Sequence, residues 1–251
     1  MKISIITATY NSGETVKETL ESILRQSFQD YELIIKDGGS KDNTLAICRK
    51  YEPLFEGKMR IVSEPDKGIY DAMNTAISLA TGDVVGILNS DDFYTSDDIL
   101  QRVADKMEDP ALDAVYGDVH YVSPNNLNKC VRYYSSKKFT RELIRYGYMP
   151  AHPSFYCRRE LFDKFGLYDT QYRIASDFDM MVRLIYLGNI RMKYMPVDFV
   201  TMRVGGASTA GVKSHLRVVK EHQHSLKKHG VNSNMAMEGC RFLMKLTEFR
   251  L

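Results

Sequence analysis

Residues Ile87 to Asp98 read ILNSDDFYTSDD. An apolar run, Val84–Leu88, stops at Asn89, and two adjacent carboxylates follow, Asp91 and Asp92, then the aromatic pair Phe93 and Tyr94. A buried strand here delivers paired negative charge to its own tip. Upstream, strand and helix patterns alternate. ISIITATY from Ile3, YELIIKDGG, MRIVSEP and DVVGILN read as four strands. Between them lie a helix carrying Val16, Leu20, Ile23 and Leu24 on one face, a second through Leu45 and Ile47, and a third over Ile69–Ala80; a fourth follows to about Met107. Ser12, Ser40 or Asp42, and Ser96 are the expected N-caps. Strands separated by helices predict a parallel sheet covered on both faces, and their nearly continuous apolar character agrees.

Ligands of such sheets bind beyond the carboxyl ends of the strands. The polar clusters fall there: Thr7–Asn11, Asp37–Ser40, Glu64–Gly68 and Asn89–Asp92. Neither GxGxxG after the first strand nor GxxxxGK[ST] anywhere is present, so a glycine-rich phosphate cradle is not expected. A carboxylate doublet offers another route, because a hard divalent cation relieves its repulsion and bridges phosphate oxygens. Solvated turn or cap aspartates are the competing reading, and Ser96-Asp97-Asp98 fits that one.

Composition narrows the classes. The 251 residues are 44% hydrophobic and 26% charged, with a net charge of +2. That balance gives no basic excess for nucleic acid. No apolar run approaches the roughly 18–20 residues of a membrane span, and MKISIITATYN reads as a first strand rather than a signal peptide. Cys48, Cys130, Cys157 and Cys240 are far apart, which predicts reduced thiols in a cytoplasmic protein and argues against a zinc site.

ATYN, DGGSKDNT, EPDKGIYDAMN and NSDD, in this order, resemble the N-terminal half of family 2 glycosyltransferases of GT-A fold. ASDFDMMVRL is similar to that family's acceptor-side Glu-Asp motif, with Ser176-Asp177 in its place, and HPSFYCRRELFDKFGLYD and GGAS look like members that build bacterial surface polysaccharides. The resemblance covers about residues 1–210 and implies a GT-A α/β fold: a Rossmann-like, mostly parallel sheet flanked by helices. Residues 1–110 would be the nucleotide-sugar half, 111–210 the acceptor and catalytic-base half, and 211–251 a helical tail.

The resemblance also implies roles. Asp37 would accept a hydrogen bond from the base, for example from uracil, although Asp-Gly is equally a turn signal. Thr7, Tyr10 and Asn11 would line the base and ribose pocket, Tyr10 by stacking. Lys67, with Gly68, would reach a donor phosphate. Asp91 would touch the ribose or the metal, and Asp92 would ligate Mn²⁺ or Mg²⁺. Asp177 would be the general base, against the plainer reading of a carboxylate favoured at a helix start; Asp179 is its backup. The implied reaction transfers one sugar, with inversion, from a nucleoside-diphosphate sugar, UDP-type favoured, to a saccharide or lipid-linked acceptor. The chain has no Trp, so the QxxRW motif of processive synthases is absent. Two rival classes are a sugar nucleotidyltransferase, whose glycine-rich N-terminal loop is missing, and a non-catalytic nucleotide-sugar-binding scaffold.

Residues from about Ala114 to Pro150 read as an acceptor-facing insert, with two strands joined at Pro-Asn-Asn. Phe139, Tyr146 and Tyr148 could stack on sugar or belong to the core. His152 could face the active site or be a buried, hydrogen-bonded histidine. Gly205–Ser208 reads as a polar turn that could close over the diphosphate or simply link. KSHLRVVKEHQHSLKKHG predicts a basic helix with Leu216, Val219 and Leu226 on its apolar side, on which His222 and His224 do not face each other. MAMEGCRFLMKLTEFRL is amphipathic and could lie on a membrane surface or pack on the domain.

Overall fold

In the computed structural model, residues 1–205 and 212–239 are described. Strand β1 (Ile3–Thr9) is wholly buried and pairs in parallel with β2 (Tyr31–Asp37) on one side and β4 (Val84–Ile87) on the other; β2 pairs in parallel with β3 (Met59–Ser63). The connections are α1 (Val16–Leu24), α2 (Thr44–Tyr51) and α3 (Ile69–Ser78). This half follows the alternation expected from the sequence, because strands covered on both faces carry unbroken apolar runs.

Beyond β4 the sheet changes direction. After the short β5 (Phe93–Tyr94) and α4 (Ile99–Met107) come β6 (Ala114–Ser123), β7 (Asn126–Tyr134), β8 (Tyr156–Arg158) and α5 (Glu160–Phe165). Helix α6 (Ser176–Met181) passes into a π-helical turn over Val182–Leu187, and β9 (Met192–Arg203) and α7 (Val212–Lys228) follow. Among the described residues nine strands form one sheet, ordered β3-β2-β1-β4-β8-β6-β9-β5, with β7 paired to β6. β8 is antiparallel to both β4 and β6, β9 runs parallel to β6, and β5 closes antiparallel on β9.

Two expectations change here. Residues 114–150 are not an insert: the first turn of pairing in β6, at Ala114 and Val115, is to β8 inside the main sheet, and only Val119–Ser123 pairs with β7. The expected serine caps have other partners. Ser12 Oγ meets Ser90 Oγ at 2.8 Å, Ser40 Oγ bonds Asp37, and Ser96 Oγ donates to Asp98. Asp42 comes nearest to the expectation, accepting the Thr44 N–H at 3.0 Å just ahead of α2.

Two apolar clusters sandwich the sheet. Ile3 and Ile5 point into one with α1, α2 and α4, whereas Ile6 and Ala8 point into the other with α3 and α6. At the reversal Gly86 lies against the Tyr156 ring, whose hydroxyl meets that of Tyr94 at 2.6 Å. Cys48, Cys130 and Cys157 are free thiols. No helix among the described residues is long and apolar enough to cross a membrane. The expected turn at Gly206–Ser208 and the tail from Cys240 onward lie outside the described residues.

Candidate active site

A cleft of about 250 Å³ opens at the end of β4, where the sheet reverses. Its lining includes Asn89, Asp91 and Asp92, Tyr70 and Asp177, and His152 and Arg203. The carboxylate doublet is held firmly. Asp92 is 1% exposed; its carboxylate takes a hydrogen bond from Asn89 Nδ2 at 2.9 Å, and its backbone carbonyl takes one from Thr19 Oγ1 at 2.7 Å. Burial pushes the Asp92 carboxyl well above the ordinary range, and the neighbouring Asp91 charge adds to that. Burial raises Asp91 as well, against the pull of Arg203. Arg203 donates to the Asp91 carbonyl, lies 3.8 Å from Glu18 and covers the Phe93 ring at 5.2 Å.

This donor set fits a divalent cation. Two carboxylates whose charge is resisted by burial and by each other gain most from a bound positive ion. Among the described residues no group of three or more His, Cys, Asp or Glu side chains converges as a metal cage.

Asp177 stands in the first turn of α6, which brings it into the same cleft. Its Oδ1 accepts the Phe178 N–H at 2.9 Å, and the Tyr70 hydroxyl lies 3.2 Å away. That hydroxyl also donates to the Ile174 carbonyl at 2.6 Å. His152 both lines the cleft and is buried, with Nε2 2.7 Å from the Tyr168 hydroxyl. Burial lowers its pKa although Asp177 pulls the other way.

The donor-side residues are distributed unevenly. Asp37 is buried at the tip of β2, and its carboxylate receives the hydroxyls of Thr9, Ser40 and Ser63 and the amides of Gly39 and Ser40. Burial would raise its pKa, but these donors outweigh burial and hold it below the ordinary range. Through these bonds Asp37 ties β1, β2 and β3 together. Thr7 does not reach the cleft. Strand alternation puts it on the face of Ile3 and Ile5, with its Oγ1 buried and without a hydrogen-bond partner, while Ala8 lines the cleft. Tyr10 is 61% exposed at the end of β1, free to stack. Asn11, at φ 50°, uses its side chain and amide to fix Lys41 and Ser40. Lys67 and Gly68 line an adjoining groove of about 540 Å³, which meets the cleft at Ile69, Tyr70 and Arg173.

A family model described as glycosyl transferase family 2 matches residues 4–166. The chain belongs to that family. A PGL/p-HBAD biosynthesis glycosyltransferase of Mycobacterium bovis is 35% identical over 195 residues, 77% of this chain and 73% of the relative. Among solved structures, S. aureus TarS 1–349 in complex with UDP-GlcNAc superposes with TM-score 0.71 at 21% identity over 95% of this chain and 69% of its own. Mannosyltransferase PcManGT from Pyrobaculum calidifontis, in complex with GDP-Man and Mn²⁺, gives 0.69 at 20% identity over 92% and 65%. The fold is thus GT-A, and the protein is a glycosyltransferase.

In this glycosyltransferase several expected residues do other work. Asp179 is fully buried away from the cleft; it pairs with Arg183 at 3.0 Å and takes hydrogen bonds from Ser225 at 2.8 Å and His229 at 3.0 Å. Two residues along a helix point about 200° apart, so Asp179 faces α7 when Asp177 faces the cleft. Phe139 packs edge-on against Tyr116, and Tyr148 stacks over Tyr134; neither they nor Tyr146 line the cleft. His222 stacks on Phe178 at 3.8 Å, whereas His224 meets the Tyr172 ring edge-on, so the two histidines face different partners. Tyr70 and Arg203 were not singled out from the sequence. Tyr70 lies inside the quoted EPDKGIYDAMN, whereas Arg203 meets Asp91 across 112 residues of chain, with no local pattern to mark it.

Proposed function

We propose that this glycosyltransferase moves one sugar per turnover from a nucleoside-diphosphate sugar, UDP-type, to a hydroxyl of a saccharide or lipid-linked acceptor, with inversion, in the synthesis of cell-surface glycoconjugates. The observation that carries the reading is one cleft lined by Asp91 and Asp92 from the end of β4 and by Asp177 from α6. The donor would lie over the ends of β1, β2 and β4, its base stacked on Tyr10. Asp91 and Asp92 would hold Mn²⁺ or Mg²⁺, which, when bound, offsets the charge growing on the departing diphosphate. Asp177 takes the proton of the acceptor hydroxyl as that oxygen bonds to the anomeric carbon; the bond to the diphosphate oxygen breaks, and nucleoside diphosphate leaves. The Tyr70 hydroxyl borders the Asp177 carboxylate at 3.2 Å, and Arg203 adds positive charge on the diphosphate side.

The surface-glycoconjugate reading is supported by the mycobacterial relative, named for PGL/p-HBAD biosynthesis. A lipid-linked acceptor suits a cytoplasmic protein that touches the membrane through residues 211–251, where Leu216 is 57% and Met235 64% exposed. The test is calorimetry of UDP, GDP, dTDP and CDP, each with and without Mn²⁺, on wild type and Asp92→Ala. Metal-dependent binding of one diphosphate, lost in the variant, is the expected result. Binding that ignores both Mn²⁺ and the substitution would remove the cation from the proposal.

A further inference from the structure

Helix α7 lies outside the cleft, yet one of its side chains reaches the base. Glu221 accepts three consecutive backbone N–H groups from the segment that leads into α6: Arg173 at 3.3 Å on one oxygen, and Ile174 at 2.9 Å and Ala175 at 3.0 Å on the other. The Ala175 N–H and the Ile174 carbonyl are opposite edges of one planar trans peptide. Fixing the first fixes the direction of the second. The second is the carbonyl that receives the Tyr70 hydroxyl at 2.6 Å.

A tyrosine hydroxyl has one proton to donate. Tyr70 has two acceptors within reach, the Ile174 carbonyl at 2.6 Å and Asp177 Oδ1 at 3.2 Å. We assign the proton to the shorter contact, the Ile174 carbonyl. The Asp177 carboxylate is thereby left as an acceptor with lone pairs open to the cleft, the condition a base needs. The rest of α7 supports the same contact surface. Ser225 and, just past the helix, His229, four and eight residues beyond Glu221, bind Asp179 within α6, and His222 stacks on Phe178 beside it.

We propose that Glu221 is a positioning residue for catalysis: by clamping the Ile174–Ala175 peptide it keeps the Tyr70 proton on Ile174 and Asp177 free to accept the acceptor's proton. The proposal rests on Asp177 being the base. It touches no substrate itself. It also gives α7, which carries no cleft residue, a part in turnover.

The experiment compares Glu221→Ala and Glu221→Gln by release of nucleoside diphosphate from UDP-N-acetylglucosamine and GDP-mannose, together with a crystal structure of Glu221→Ala. A displaced carbonyl should lower kcat by about 10- to 100-fold, with donor KM held within about twofold. The carboxamide oxygen of Gln still accepts the Ile174 and Ala175 amides, so that variant should stay within about threefold of wild type. In the crystal the Tyr70 hydroxyl should have moved from Ile174 to Asp177. In the Asp177→Asn background, adding Glu221→Ala should cost nothing further. An unchanged Tyr70 geometry, or the same kcat loss in both backgrounds, overturns the proposal. Should Asp177→Asn keep full turnover, the base assignment fails, and the crystal still decides whether Glu221 sets the Tyr70 contact. If Glu221→Ala does not fold, Glu221→Asp withdraws the same charge by one methylene and should shift the same readouts in the same direction. If neither donor turns over, the crystal geometry alone decides.

Discussion

Asp177 and Asp179 differ by two positions and share a helix, yet their surroundings divide the labour between them. Asp177 opens on the cleft with Tyr70 beside it; Asp179 is sealed against Arg183, Ser225 and His229. Arg183 in turn donates to the carbonyls of Phe165, Gly166 and Leu167. Removing the buried partner leaves that guanidinium uncompensated, so Asp179→Ala should cost about 3–5 kcal/mol of stability, measurable by urea unfolding. Nucleoside diphosphate binding by the molecules that remain folded should be unchanged. A large loss of binding with normal stability would return Asp179 to the active site.

At the scale of elements, the strand that presents the doublet depends on a close approach. A Cβ on Gly86 would stand 2.1 Å from Cε1 of Tyr156, a buried ring tied by its hydroxyl to Tyr94. Gly86→Ala must push β8 off β4 and should destabilise the protein by about 1–3 kcal/mol or more in thermal unfolding; wild-type stability would show that the two strands have slack. Such dependencies explain what could be read in advance. β1 to β4 were legible because each is an apolar run that ends in a polar cluster, and that also located Asp91 and Asp92. The second half was not: β6 pairs with β9 across some 80 residues, so its membership of the main sheet leaves no local trace. Asp177 was legible through its motif. Thr7 was misplaced because loop-end residues were read together, without asking which face each would take. Glu221 and Arg203 act on partners 47 and 112 residues away, and each looks like an ordinary surface charge in the sequence.

For the whole molecule, the edge opposite the cleft is held by Glu32. Its carboxylate gathers the Ser4 hydroxyl at 2.6 Å, the Thr81 amide at 2.6 Å and Lys2 Nζ at 3.0 Å, joining β1, β2 and the approach to β4. Burial opposes ionisation, but these donors outweigh it and bring the pKa from the usual 4.5 to about 2. A carboxyl with a depressed folded pKa stabilises above its unfolded value and loses that contribution as pH falls through the folded one. Glu32→Gln should therefore cost about 1–2 kcal/mol at pH 7 and progressively less between pH 4.5 and about 2; a penalty independent of pH would assign the effect to shape rather than charge. The reversal of strand direction between β4 and β8 has a wider consequence. One run of chain brings Asp91 and Asp92 to the cleft and a later run returns with Asp177, so the cleft is not complete until both are made. A ribosome making this chain has finished β1 to β4 long before Asp177 exists, so under the proposed roles the power to split a sugar nucleotide would arrive only once synthesis has passed α6.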